Sequence, residues 1–268
     1  MKYSIITVNY NNREGLRRTI ESVINQSCKD FEYIIIDGGS TDGSVDVIKE
    51  FDGQIDYWVS EPDKGIYNAM NKGIKKATGE YLNFMNSGDC FYDDEVLKNV
   101  MPYLTADIVH GRLFYYCGRE RSVYLKGEPN MQHFLDNTLN HQSSFISRKL
   151  FNNSLYDENY KIVSDWKFFM EKLIFQNCSF VSIPIKVGLF EEGGISESAS
   201  ELDAKERKEV LEQLFPPRMV ETFIRFKGKE SPILDLIPQF NRTCRLQKTI
   251  VSIVQIILYI YHCFKCNH

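Results

Sequence analysis

Asp89 closes the tetrapeptide Asn86-Ser-Gly-Asp, directly behind a short apolar run from Tyr81 to Met85. A carboxylate there can hold Mg2+ or Mn2+ through one bond while a diphosphate and water complete the octahedron. It can equally be the last residue of a tight turn, because Asn, Ser, Gly and Asp are all turn formers. Asp37 follows a second apolar run, Tyr33 to Ile36, and precedes Gly38-Gly39. Its oxygens can accept from a base N–H or from ribose hydroxyls, or close an Asx-turn. Tyr10, behind Ser4 to Val8, can stack on a planar ring or join the core. Asp165 stands beside Ser164 at the start of a strongly striped segment. The dipole of a helix beginning there would keep the carboxylate ionised and able to accept a proton as a general base, although Ser-Asp is also a good N-cap pair. His141-Gln142 can orient a hydroxyl or a phosphate, or cap a strand. Glu191-Glu192-Gly-Gly-Ile-Ser is a Gly-hinged acidic segment that reads as a flap or a surface loop. The loop GGSTDGS lacks both Gly-Lys-Ser/Thr and G-x-G-x-x-G, so it is neither a P-loop nor a dinucleotide fingerprint.

These residues need elements to position them, and the first hundred residues supply an alternation of hydrophobic periods. Ser4–Val8, Tyr33–Ile36, Ile55–Val59 and Tyr81–Met85 are short apolar runs of strand type. Between them, Leu16, Ile20, Val23 and Ile24 fall on one helical face, and Val45, Ile48 and Phe51 on another that starts near Asp42 or Ser44. Ile66, Ala69, Met70, Gly73, Ile74 and Ala77 make the clearest stripe, and Val96, Leu97, Val100, Met101 and Leu104 a fourth. Such alternation predicts βαβ units around a mostly parallel sheet, whose ligands bind at the carboxyl ends of the strands. Asn9-Tyr10-Asn11, Asp37, Glu61-Pro-Asp63-Lys64 and Asn86-Ser-Gly-Asp89 all fall at that edge. Residues 105 to 195 read as short strands and one strong helix with Trp166, Phe169, Met170, Leu173 and Ile174 on a face. A charged amphipathic helix over 201 to 215 ends at Pro216-Pro217.

The 268 residues, with 43% hydrophobic and 25% charged side chains, have the balance of a soluble globular protein. That excludes a disordered, collagenous or multi-span membrane chain. A net charge of −4 excludes the basic field of a duplex nucleic-acid binder. Seven cysteines at irregular spacing argue against a disulfide framework, and Cys263-x-x-Cys266 beside His262 and His268 is only half a zinc site. The apolar run after Met1 is too short for a signal peptide, so a cytoplasmic protein is expected. The tail from Thr249 to Phe264 falls short of the ~20 residues of a bilayer span. Flanked by Arg242, Arg245, Lys248 and Lys265, it reads either as a helix docked on the protein or as one lying in a membrane interface.

The segment SIITVNYNN…TIESVINQSCKDFEYIIIDGGSTDGS…SEPDKGIYNAMNKGIKKATGEYLNFMNSGD resembles the nucleotide-binding half of family-2 glycosyltransferases with the GT-A fold, and HQSSF (141–145) and YDENYKIVSDWKFFMEKL (156–173) resemble their acceptor-side motifs. The resemblance implies an inverting transfer of one sugar from a nucleotide-diphosphate sugar, UDP-linked by preference in this family, to a hydroxyl of a glycan or lipid-linked acceptor in envelope polysaccharide synthesis. It implies Mg2+ or Mn2+ as cofactor. It places Tyr10, Asp37 and Asp63 at the base and ribose, and Lys64 near the base or phosphates, with Asn68 and Ser87 as further donor-side candidates. Asp89 would bind the metal, Asp165 would be the catalytic base, and His141, Gln142 and Glu192 would meet the acceptor. A donor half over 1–104 and an acceptor half over 105–215 would share one GT-A domain, followed by a helical extension over 216–268 that could touch the inner face of the cytoplasmic membrane. Two departures bear on this. Gly88 stands where many members have an acid beside Asp89, and Ser164 where they have one beside the base. The absence of Gln-x-x-Arg-Trp argues against a processive synthase. Gly88 and Ser164 leave room for a degenerate sugar-nucleotide or glycan binder. A sugar-nucleotidyltransferase is disfavoured, because TVNYNNREGL lacks that class's Gly-rich basic loop.

Overall fold

A computed structural model describes residues 1–122, 125, 127–192 and 200–226 of the chain. The tail over Thr249–Phe264 and the Cys263/Cys266 pair lie outside the described residues. Strands β1 (Tyr3–Asn9), β2 (Phe31–Asp37), β3 (Tyr57–Ser60) and β4 (Tyr81–Phe84) pair in parallel in the order β3-β2-β1-β4. Helices α1 (Arg13–Ile24), α2 (Ser44–Glu50) and α3 (Ile66–Lys76) make the crossovers. The β-branched runs of β1 and β2 are buried on both faces, as strands covered by helices on either side must be. Ile5 and Ile35 join Leu16, Ile20 and Val23 of α1 and Val47 and Ile48 of α2 in one core. On the other face α3 lies close: a Cβ at Gly73 would come 2.5 Å from Ile6 Cγ2, so only glycine permits this helix–sheet approach.

The second half is mixed. After β5 (Cys90–Phe91) and α4 (Val96–Val100), strand β6 (Ile108–Tyr115) runs to a short β7 (Glu120–Ser122). Helix α5 (Met131–Asp136), β8 (Ser144–Ser147), α6 (Ser164–Met170), a π-turn at Glu171–Phe175, β9 (Phe180–Phe190) and α7 (Ser200–Leu214) follow. The nine-stranded sheet has the order β3-β2-β1-β4-β8-β6-β9-β5, with β7 on β6. Because β8 pairs antiparallel with both β4 and β6, its N-terminal end meets the C-terminal end of β4, and β6 points the same way as β4. β9 is parallel to β6, so its end also reaches that edge. The polar ends of β1, β2, β4 and β9 and the turn before β8 therefore collect on one side of the sheet. Phe168 of α6 packs with Phe84, Phe151 and Tyr156 in an aromatic floor, with Phe151 and Phe168 stacked at 4.5 Å.

A separate unit begins at Pro216, and its described part is helix α8 (Pro217–Phe226). Among the described residues no helix is long and apolar enough to cross a membrane.

Candidate active site

The loop from Met85 to Asp89 leaves β4 at the sheet edge and is tied down from three sides. Ser87 N–H donates to Val8 O at 3.0 Å, Gly88 N–H donates to Thr19 Oγ1 at 3.0 Å, and Thr19 Oγ1 donates to Asp89 O at 2.7 Å. Tyr116 adds a bond from its hydroxyl to Gly88 O at 2.8 Å. Gly88 has φ +103°, a region costly for any side chain. The loop thus presents Asp89 inward, 5% exposed. Its Oδ2 accepts from Gln142 Nε2 at 2.9 Å and its Oδ1 from Glu191 N–H at 3.0 Å. Burial pushes the Asp89 pKa up from 3.8 to about 6, opposed by those two bonds. A carboxylate held this way, by two uncharged donors and with a lone pair free on each oxygen, suits a hard divalent ion. Among the described residues no three His, Cys, Asp or Glu side chains converge as a ready-made metal site. Asp89 would therefore share a cation with the oxygens of a diphosphate and water. The space that a side chain at 88 would fill is taken by Glu191, whose Oε2 would overlap a Cβ there.

Asp165 lies in the first turn of α6. Oδ1 accepts from Trp166 N–H at 2.9 Å and lies 2.9 Å from Tyr67 Oη, whose single proton is shared with Ile162 O. Oδ2 is 3.0 Å from His141 Nδ1. Burial alone would raise this pKa. The His141 bond, its charge interaction and the Tyr67 and Trp166 bonds outweigh it, and the carboxyl sits below its ordinary range. Oδ2 keeps a lone pair, so Asp165 can accept a proton. The expectation that Ser164-Asp165 caps α6 is corrected: the N-cap is Val163, without a side-chain bond, and Ser164 Oγ has no hydrogen-bond partner. The N–H groups of Lys161, Ile162 and Val163 instead donate to the buried carboxylate of Glu206 on α7, at 2.9 to 3.3 Å.

The other expected site residues separate into groups. Tyr10 is 68% exposed at the end of β1. A Cβ at Gly38 would meet Tyr10 Cδ2 at 3.1 Å and Asp63 Oδ2 at 2.6 Å, so these two side chains flank one narrow space at the strand ends. Lys64 is exposed beside it. Asp37 is different. It is fully buried, and Asn9 Nδ2, Ser40 Oγ, Ser40 N–H, Gly39 N–H and Ser60 Oγ donate to it at 2.6 to 3.2 Å. Five donors fill the roughly four acceptor positions of a carboxylate, so Asp37 braces the β1–β2 edge. Asn68 Nδ2 donates to Glu158 at 2.8 Å, and Ser87 Oγ to Asn12 O at 3.2 Å. Glu192 pairs with Arg119 at 2.9 Å on the surface; its neighbour Glu191 is the one that reaches the site, bonded to Arg18 and to Asn12. Sequence reasoning missed Tyr67 and Thr19, and named Asn86 and Glu191 only as members of a turn and of an acidic segment. Thr19 carried a usable signal, as a polar residue within the apolar stripe of α1.

A βαβ half with a buried acid at its strand ends is thus joined by a second half that returns a carboxylate at the start of a helix to the same edge. The model for glycosyl transferase family 2 matches residues 4–172, and the chain belongs to that family. A PGL/p-HBAD biosynthesis glycosyltransferase of Mycobacterium bovis is 29% identical over 208 residues, 73% of this chain and 79% of the relative. An uncharacterized glycosyltransferase of Mycobacterium tuberculosis is 32% identical over 201 residues, 72% and 76% of the two chains. Among solved structures, S. aureus TarS 1–349 in complex with UDP-GlcNAc matches with TM-score 0.65 at 19% identity, over 86% of this chain and 68% of that one. A mannosyltransferase from Pyrobaculum calidifontis in complex with GDP-Man and Mn2+ matches with TM-score 0.62 at 13% identity, over 99% and 82%.

Proposed function

We propose that the protein transfers one sugar from a nucleotide-diphosphate sugar, UDP-linked by preference, to a hydroxyl of a glycan or lipid-linked acceptor with inversion at the anomeric carbon. The observation that carries this reading is that adjacent residues, Gln142 and His141, are bonded to Asp89 and Asp165 respectively, so that one short turn contacts both carboxylates. Residues 1–104 would hold the donor and residues 105–215 the acceptor. The exposed ring of Tyr10 supplies a stacking face for the base, with Asp63 across from it and Lys64 near the phosphates. Asp165, ionised at neutral pH, takes the acceptor proton on Oδ2 as the acceptor oxygen forms its bond to C1 and the C1–O bond to the diphosphate breaks. Asp89 would hold Mg2+ or Mn2+, which when bound would neutralise charge on the departing diphosphate.

Positioned general bases contribute ~10²–10⁴-fold, so Asp165→Asn should lose turnover in that range with donor affinity retained. Wild-type turnover in that variant would overturn the assignment. Hydrolysis of a UDP-sugar panel in the presence of Mn2+, read as UDP release, separates this reading from a binder without turnover. The relative named for PGL/p-HBAD biosynthesis and the apolar run Thr249–Phe264 support an envelope-lipid acceptor met at the inner membrane face. Removing residues 245–268 should then abolish binding to anionic liposomes, and full retention would reject the tail as anchor.

A further inference from the structure

His141 and Gln142 form one short 3-10 turn, His141–Ser143, at the end of β8 that meets the end of β4. Both are largely withdrawn from solvent: the His141 side chain is 14% exposed and Gln142 5%. A carboxylate only accepts hydrogen bonds, so the His141 Nδ1 facing Asp165 Oδ2 at 3.0 Å carries a proton. The other ring nitrogen, Nε2, lies 3.0 Å from Asn86 Nδ2, which donates to it. Asn86 in turn accepts from Asp89 N–H at 2.9 Å through its backbone oxygen. The turn is thus joined to the Asp89 loop twice, through Asn86 and through Gln142 Nε2, and to Asp165 once.

We propose that the His141–Gln142 turn is a positioning clamp that holds the base at Asp165 through His141 and the cation-binding carboxylate at Asp89 through Gln142, rather than meeting the acceptor. The inference rests on the roles given to those two acids above. Its physical content is rigidity: an N–H donor at Oδ2 leaves that oxygen one lone pair, aimed by the clamp, and keeps the carboxylate ionised. The groups facing Asp165 are His141, the Tyr67 hydroxyl from α3, Tyr156, and the Trp166 N–H. His141 is the one that contacts Oδ2; Tyr67 and the Trp166 N–H lie at Oδ1.

The two arms give opposite signatures. Losing a hydrogen bond to a charged group costs on the order of 10- to 100-fold. His141→Ala should therefore lower kcat for UDP-sugar hydrolysis by that factor at saturating Mn2+ and donor, with the donor KM within about twofold. The acid limb of kcat should move to higher pH. His141→Asn, which places an N–H near the Nδ1 position, should recover much of both. Gln142→Ala should weaken Mn2+ binding in the presence of UDP, read by electron paramagnetic resonance, by on the order of 10-fold. Carboxyl 13C NMR, with Asp165 assigned by its absence in Asp165→Asn, reads the same protonation without turnover. A rise of the Asp165 pKa in His141→Ala but not in His141→Asn supports the clamp. An unmoved pKa, or hydrolysis by His141→Ala at the wild-type rate and pH profile, overturns it. If Asp165→Asn is itself fully active, the reading of the base has failed; if that variant is dead and His141→Ala is normal, only the clamp has.

Discussion

Replacing Asp89 with asparagine should stabilise the metal-free protein while abolishing its use of a cation. The ionised Asp89 carboxylate is buried, and its pKa is raised from 3.8 to about 6. At ~1.4 kcal/mol per tenfold change in proton affinity, the folded state carries a penalty of ~3 kcal/mol whenever Asp89 is charged. The sign follows from proton counts. Between 3.8 and about 6 the folded chain binds more protons at this site than the unfolded one, so stability falls as pH rises through that window and is level above it. The asparagine would keep an acceptor for the Glu191 N–H and could donate to Gln142 with its amide turned over, so the bonds survive and the penalty goes. For the folded body Met1–Phe215, ~3 kcal/mol corresponds to roughly 6–12 °C in Tm. Differential scanning fluorimetry at pH 7.5 should show Asp89→Asn melting higher by up to that amount, and the advantage should vanish near pH 4. Mn2+ with UDP should raise the wild-type Tm and leave the variant unmoved. A variant that melts lower than wild type at pH 7.5, or by the same margin at every pH, would refute the claim that this site stores the cost of an uncompensated charge.

The remaining expectations are briefer. Gly88→Asp, which would restore an adjacent acid pair, should weaken Mn2+ binding and lower urea stability by about 1–3 kcal/mol, because φ is +103° and the new Cβ would strike Glu191 Oε2; tighter Mn2+ binding would contradict this. Glu206→Ala should cost ~1–3 kcal/mol for each buried donor left unpaired among Lys161, Ile162 and Val163, with faster amide exchange confined to those residues and the turn of Asp165. Asp165 is held below its ordinary 3.8, so kcat at saturating Mn2+ should stay level from pH 7 down to about 5. A fall in kcat centred near 6 that persists unshifted when Mn2+ is raised, and so does not come from protonation of Asp89, would mean that another group is the base.

The donor half was legible because its physics is periodic. Short apolar runs located β1, β2 and β4 to within two residues, and the stripe from Ile66 to Ala77 located α3. Asp89 and Asp165 could be picked out because each follows or opens an element with a strong pattern. What the pattern could not carry was the state of the side chains. Asp37 and Asp89 both follow buried strands, yet the first is saturated by five donors and the second keeps free lone pairs. Glu206 sits unmarked in a helix rich in charges, although it alone of them accepts three backbone donors. Nothing in local composition distinguishes Glu191 from Glu192.

The contacts that assemble the site join residues far apart in the chain: 55 positions between Asn86 and His141, 102 between Asp89 and Glu191, 179 between Asn12 and Glu191. They arise from sheet direction rather than from any local signal. A parallel β8 would have delivered its C-terminal end, Ser147, to the edge where Asp89 lies; the antiparallel one delivers His141 and Gln142. That single reversal brings the turn holding the base against the loop holding the metal acid, and β9, parallel to β6, adds Glu191 beside Gly88. The acid missing at position 88 and the carboxylate filling its space are therefore one structural fact. Glu191 could take that space only because glycine vacated it, and a side chain returned to position 88 would have to displace Glu191 before it could approach a cation.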